Sequence, residues 1–168
     1  EPQLARSIGF ANRGGFERLW LGQAIHGRYQ EEALTSDPTY RREVVLRTEF
    51  VHRGWTVILS GRLDGLRKES DGRRVIEEIK SVRREGQLAP AVRELYERQA
   101  LLYAWMLSKD GAGAVGAELV LIAIGSDAVE RIALDAESAA MEALESEIRQ
   151  RLNRLLREFE AQRRARAD

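Results

Sequence analysis

The sequence contains no cysteine. Disulfides, thiolate zinc sites and iron–sulfur clusters are excluded at once. Only two histidines occur in 168 residues, so no all-histidine metal cage can be built. Any metal site has to lean on carboxylates, which favours magnesium or manganese. Net charge is absent as well, since 27 Lys and Arg balance 27 Asp and Glu. A global attraction to nucleic acid is not indicated, although a local basic groove fits within that balance. No signal-peptide pattern and no bilayer-length apolar run is present, so the expectation is a cytoplasmic protein without membrane contact. No glycine-rich turn joins a first strand to a helix, which argues against a dinucleotide-binding fold. No phosphate-binding loop motif occurs either.

What remains is enough for one domain over residues 1–168. Apolar residues make up 43% and charged residues 32%, a globular composition able to bury a core. After a lead-in over residues 1–14, the stretch FERLWLGQAIHGRYQEEAL has a helical apolar period. Two strand patterns follow, REVVLRTEFV and WTVILSGRLD, joined around Arg53-Gly54. An Asp71-Gly72 turn leads to a third strand over Arg74 to Ser81, completing an antiparallel meander. A second helix is predicted from about Ala91 to Leu107, then a hairpin built from AELVLIAIG and AVERIALD. From about Glu137 to Asp168 the chain reads as one long charged helix with an apolar stripe of Met141, Leu144, Ile148, Leu152, Leu155 and Phe159. The order α-β-β-β-α-β-β-α predicts an α/β fold with a central sheet flanked by helices.

The chemistry-bearing residues cluster around GRLDGLRKESDGRRVIEEIKS, residues 61–81. Strand alternation puts Glu78 and Lys80 on one side of the third strand and Glu77 and Ile79 on the other. Glu77 is expected to form an ion pair with an arginine. A hairpin brings Asp64, at the end of the second strand, near Glu78 and Lys80. Two carboxylates there can hold a divalent cation, which polarises a phosphate oxygen and acidifies its water. A Glu-x-Lys step is also common on solvated strand edges. The neighbouring Val75-Ile76 argues for a covered strand, where carboxylates need a paired charge or a metal. His26 sits mid-helix as a candidate ligand or a satisfied half-buried imidazole. Gln99 and Tyr103, four apart, share a helix face.

Taken together, LGQAIH, GRLDG, VIEEIKS and RQALLYAWML resemble the PD-(D/E)XK nuclease superfamily in its RecB-like branch. The Gly-x-x-x-His element is Gly22 to His26, the Gly-x-x-Asp element Gly61 to Asp64, the acidic-x-Lys element Glu78 to Lys80, and the Gln-x-x-x-Tyr element Gln99 to Tyr103. The resemblance spans about residues 16 to 107. It implies a restriction-endonuclease-like central mixed sheet, with His26, Asp64, Glu78 and the Ile79 carbonyl binding Mg2+ or Mn2+. It implies that Lys80 is catalytic and that Gln99 and Tyr103 support the site. Some branches with this histidine carry a cysteine-bound iron–sulfur cluster, and this chain departs from them. The family context brings DNA as partner, single strands by preference, and a fused or associated helicase. A chain starting at Glu1 is compatible with a domain cut from such a protein.

Phosphate contacts are expected among Arg62, Arg73, Arg74, Arg83, Arg84, Arg93 and Arg98. Trp20, Tyr29 and Trp105 are available for base stacking, but core is the simpler reading for each. Glu43 and Glu49 are further acidic candidates, read as surface charges. Two other readings stay open: a nuclease-like fold that binds DNA without cutting it, and a structural domain whose long helix contacts another protein.

Overall fold

A computed structural model describes residues 16–83, 88–111 and 113–167, apart from the side chains of residues 16–20 and 167. The predicted lead-in, Arg84 and the Trp20 side chain lie outside the described residues. The elements are α1 (Phe16–Ser36), β1 (Arg41–His52), β2 (Trp55–Lys68), β3 (Arg74–Val82), α2 (Pro90–Lys109), β4 (Val115–Ala123), β5 (Val129–Leu134) and α3 (Ser138–Ala167). The predicted order holds throughout. The five strands form one sheet in sequence order, β1-β2-β3-β4-β5. It is mixed: β3 and β4 run parallel, and every other pair is antiparallel. A parallel pair needs a crossover, and α2 supplies it.

The turns follow from their residues. His52 pairs with Trp55 across two residues, Arg53 at φ 51° and Gly54 at φ 78°. That is the left-handed geometry of a tight hairpin, cheap for glycine and strained for arginine. The β2–β3 turn closes where the Asp71 carboxylate accepts from the Arg73 N–H at 2.8 Å. Two boundaries differ from expectation. β2 runs past Asp64 to Lys68, because Gly65 to Lys68 pair with Glu77 to Arg74 and Leu66 packs on the core. Asp64 is therefore inside β2 rather than at its end. β4 starts at Val115, where residues 115 and 116 pair with Arg74 and Val75, so the loop before it is shorter than predicted.

The sheet has two unequal faces. On one, α2 and α3 cover Leu46, Leu59, Leu63, Ile76 and Ala117, with Ala100, Ala104, Trp105 and Ile148 packed among them. On the other, Ile25 and Tyr29 of α1 pack on Ile79, Val120 and Ile122. Trp105 is core, as expected; its ring meets Phe50 edge to face at 5.9 Å and its Nε1 donates to Glu145 at 3.2 Å. Leu95, near the start of α2, is exposed. The stripe of α3 caps the sheet as far as Phe159, whose ring meets Trp55 at 5.5 Å. Among the described residues, no helix is long and apolar enough to cross a membrane.

Candidate active site

The site begins where two strands part. β2 and β3 pair from Lys68↔Arg74 to Gly65↔Glu77, and the ladder stops there. β3 continues to Val82, paired on its other side with β4. Its β2-facing edge is therefore unpaired from Glu78 onward. Asp64 bridges the opening: its Oδ2 accepts from the Ile79 N–H at 2.8 Å. In an extended strand the N–H and C=O of one residue leave on the same edge, so the Ile79 carbonyl is aimed into the same gap.

Glu78 and Glu77 are both 1% exposed, on opposite sides of β3. Glu77 faces α1, where Arg67 (3.3 Å), Arg131 (2.7 Å) and the Tyr29 hydroxyl (3.0 Å) all donate to it. The predicted arginine pairing is thus met twice. Tyr29 is neither free nor buried; it is a half-buried member of this network. Glu78 has no such shell. Its Oε1 lies in ion-pair contact with Lys80 Nζ but accepts no aligned hydrogen bond. Burial pushes the Glu78 carboxyl up to about 7, with Lys80 pulling it down and Asp64 adding to the rise. Burial alone would lower Lys80, but Glu78 and Asp64 outweigh it and hold the ammonium above its ordinary range.

The surrounding helices approach through glycines. A Cβ on Gly22 would lie 3.3 Å from Ser81 Oγ, so this glycine lets α1 lie close to β3 one turn before His26. Burial lowers the His26 pKa, with Asp64 and Glu43 opposing and Lys80 assisting, which leaves a neutral imidazole fit to ligate. On the opposite side, a Cβ on Gly61 would come 2.5 Å from the Tyr103 ring. Tyr103 is half-buried, and that burial raises its pKa, with Gln99 and the Arg62 backbone beside it opposing the rise. The Gly-x-x-Asp and Gln-x-x-x-Tyr elements are thus one joint, with the ring of α2 resting on the bare backbone of β2.

His26, Asp64, Glu78, Lys80, Gln99 and Tyr103 thus gather around the parted strands. Their donors suit a hard divalent cation: carboxylate, carbonyl and a neutral imidazole. Glu78 Oε1 is buried and meets the Lys80 ammonium without an aligned hydrogen bond, so it keeps lone-pair capacity that a cation could use. Among the described residues, no three histidine or acidic side chains enclose an ion unaided.

Three neighbours carry no motif. Tyr40 is buried against Gly65, where a Cβ would meet its hydroxyl at 2.3 Å. The ring of Tyr96 lies 5.1 Å from Lys80 Nζ, a cation–π contact. Gln30 reaches Asp64 from α1. Only the glycine pair flanking Asp64 hinted at any of these. Glu49 is the expected surface charge, paired with Arg47 at 3.1 Å. Glu43 is also exposed, as expected, but in addition it accepts from buried Gln30 and pairs with Arg62 at 3.6 Å. Of the expected phosphate-binding arginines, Arg93 pairs with Glu97 and Arg98 with Glu147, while Arg73 lies against Gly116 at the far end of β3. Arg62 and the exposed Arg83 are the two nearest the gap along β2 and β3.

The PD-(D/E)XK nuclease superfamily model matches residues 5–167. This chain belongs to that superfamily. Two solved structures share the superfamily member's fold. The crystal structure of SSO0001 aligns with TM-score 0.53 and 21% identity over 75% of this chain and 56% of that one. A protein described as "Putative exonuclease" from Eubacterium rectale aligns with TM-score 0.51 and 14% identity over 84% of this chain and 53% of that one. The chain thus spans about half the length of these two structures. No curated protein matches it.

Proposed function

We propose that this domain is a divalent-metal-dependent deoxyribonuclease of the RecB-like branch. It hydrolyses phosphodiester bonds in single-stranded DNA or at DNA ends during repair or processing. The observation that carries the reading is Glu78: a fully buried carboxylate whose Oε1 meets only the Lys80 ammonium, without an aligned hydrogen bond, facing Asp64 where β2 and β3 part. Nothing structural requires a carboxylate there, since an apolar residue would fill the space at lower cost.

Mg2+ or Mn2+ would be held by His26, Asp64, Glu78 and the Ile79 carbonyl. When bound, the ion supplies positive charge against a phosphate oxygen and lowers the pKa of water. Lys80 keeps its proton between Glu78 and Asp64, so it offers a fixed positive charge as the phosphorane charge grows. The Tyr103 ring rests on the Gly61 backbone and so keeps that part of β2, and Asp64 with it, against α2. Tyr96 and Tyr103 border the site as partly exposed rings, which suits the faces of unstacked bases. Arg62 and Arg83 are the cations placed to meet the flanking phosphates. A fused or associated helicase is the partner that the RecB-like resemblance supports.

The test is cleavage of labelled single- and double-stranded DNA with manganese by the wild type, Asp64→Ala and Lys80→Ala. Each substitution is expected to reduce cleavage by roughly 1000-fold. Cleavage surviving in both variants overturns the assigned site. Tight DNA binding by a wild type that never cleaves would instead identify a DNA-binding module.

A further inference from the structure

Gln30 lies one turn beyond His26 on α1 and is 4% exposed. Its Nε2 donates to the Asp64 carbonyl at 2.9 Å and to Glu43 Oε1 at 3.3 Å. The Asp64 carboxylate is held separately, by the Ile79 N–H. Three elements therefore meet on one residue: β2 carries Asp64, α1 grips its backbone, and β3 grips its side chain. The backbone is open to capture for a visible reason. Arg42↔Gly65 and Val44↔Leu63 are ladder partners, yet Glu43 and Asp64, which stand opposite between them, are not. Glu43 has φ 51°, a left-handed conformation costing a non-glycine residue about 1–2 kcal/mol. At the step where the β1–β2 ladder is interrupted, Gln30 provides the donor.

We propose that Gln30 is a positioning residue, which fixes Asp64 relative to His26 so that carboxylate and imidazole present together to a divalent cation. This rests on the metal-dependent reading above and adds a residue to it. The amide suits the task because both contacts are acceptors. A glutamate would place a second negative charge against Glu43 and could not donate to the carbonyl. A methionine would keep the length and lose both donors.

The experiment titrates Mn2+ into the whole chain by electron paramagnetic resonance, with metal-free thermal unfolding measured in parallel. Gln30→Met is expected to weaken Mn2+ binding by about 10–100-fold, the usual effect of removing a group that orients a ligand, with a loss of a few degrees in melting temperature. Gln30→Glu separates positioning from charge. If charge alone mattered, the added carboxylate would tighten Mn2+ binding; loss of positioning predicts weaker binding. Gln30→Glu carries the test if Gln30→Met does not stay folded. Wild-type Mn2+ affinity in Gln30→Met, or tighter binding in Gln30→Glu, overturns the proposal. Mn2+ binding unchanged by Asp64→Ala would refute the metal site itself and the role of Gln30 with it. That outcome is recognisable because it appears without any change at Gln30.

Discussion

Glu77 and Glu78 are adjacent on β3, equally buried, and surrounded in opposite ways. Glu77 receives two guanidinium groups and a phenol, and through Arg67 and Arg131 it is tied to Glu118 as well. Glu78 has one ammonium and an oxygen without an aligned donor. A buried carboxylate is tolerated when its lone pairs are filled. The first glutamate meets that condition within the fold; the second leaves room for something from outside it. The comparison separates a carboxylate that joins α1, β2, β3 and β5 from one that we propose meets an ion.

The largest expected effect that would sharpen this comparison is on stability. Glu77→Ala leaves Arg67 and Arg131 facing a void, and a loss of about 3 kcal/mol is expected after allowing for the exposure of Arg131. In a chain of this size that is a fall in melting temperature of roughly 6–12 °C. Glu78→Gln should do the opposite in metal-free protein. The folded-state pKa of Glu78, about 7, lies above the ordinary value. Its ionisation therefore penalises the folded state fully above pH 7 and not at all well below pH 4.5. Denaturant unfolding should show Glu78→Gln gaining up to about 3 kcal/mol at pH 8 and little at pH 4. An equal loss from both substitutions at pH 8 would erase the distinction between the two glutamates.

Next in size are the two glycines flanking Asp64. Gly65→Ala drives a methyl into Tyr40 and Gly61→Ala drives one into Tyr103, so each should cost about 1–3 kcal/mol. Only Gly61→Ala displaces a residue of the proposed site, and only it should also lower cleavage, by roughly 10–100-fold. The smallest effect concerns Glu145, far from the gap. Hydrogen bonds from Lys109, then Arg149, with Trp105 contributing, hold its carboxyl down at about 2. A depressed carboxylate contributes stability above its ordinary pKa and loses it as pH falls toward the folded value. Glu145→Gln should therefore flatten the acid limb between about pH 4.5 and 2, by about 1 kcal/mol given the screening of its exposed partners.

Much of this was legible in the residues. The period-2 alternation on β3 distinguished Glu78 from Glu77 without coordinates, and the arginine pairing of Glu77 followed from it. The element order and all three antiparallel connections were readable from apolar periods and turn residues. What escaped is of another kind. β2 continues through Lys68 because Leu66 finds the core, a tertiary reward that Gly65-Leu66-Arg67-Lys68 does not advertise locally. Glu43 looks like any strand carboxylate until its backbone is found in a left-handed conformation opposite Asp64. Gln30, Tyr40 and Tyr96 act across chain separations that carry no pattern at all. The motifs marked the atoms of the site; the contacts that hold those atoms in place were invisible.

The parting of β2 from β3 also makes the gap mechanically lopsided. One wall, β3, is clamped by β4 along its whole length and pressed between α1 and α2. The other wall belongs to the β1–β2 ribbon, where Leu63 is fully buried and Gly65 is ladder-paired on both edges, while Asp64 between them is held by the Gln30 amide and by its own carboxylate on the Ile79 N–H. The gap thus has one wall fixed by continuous backbone pairing and one that, at Asp64 itself, rests on two hydrogen bonds involving side chains.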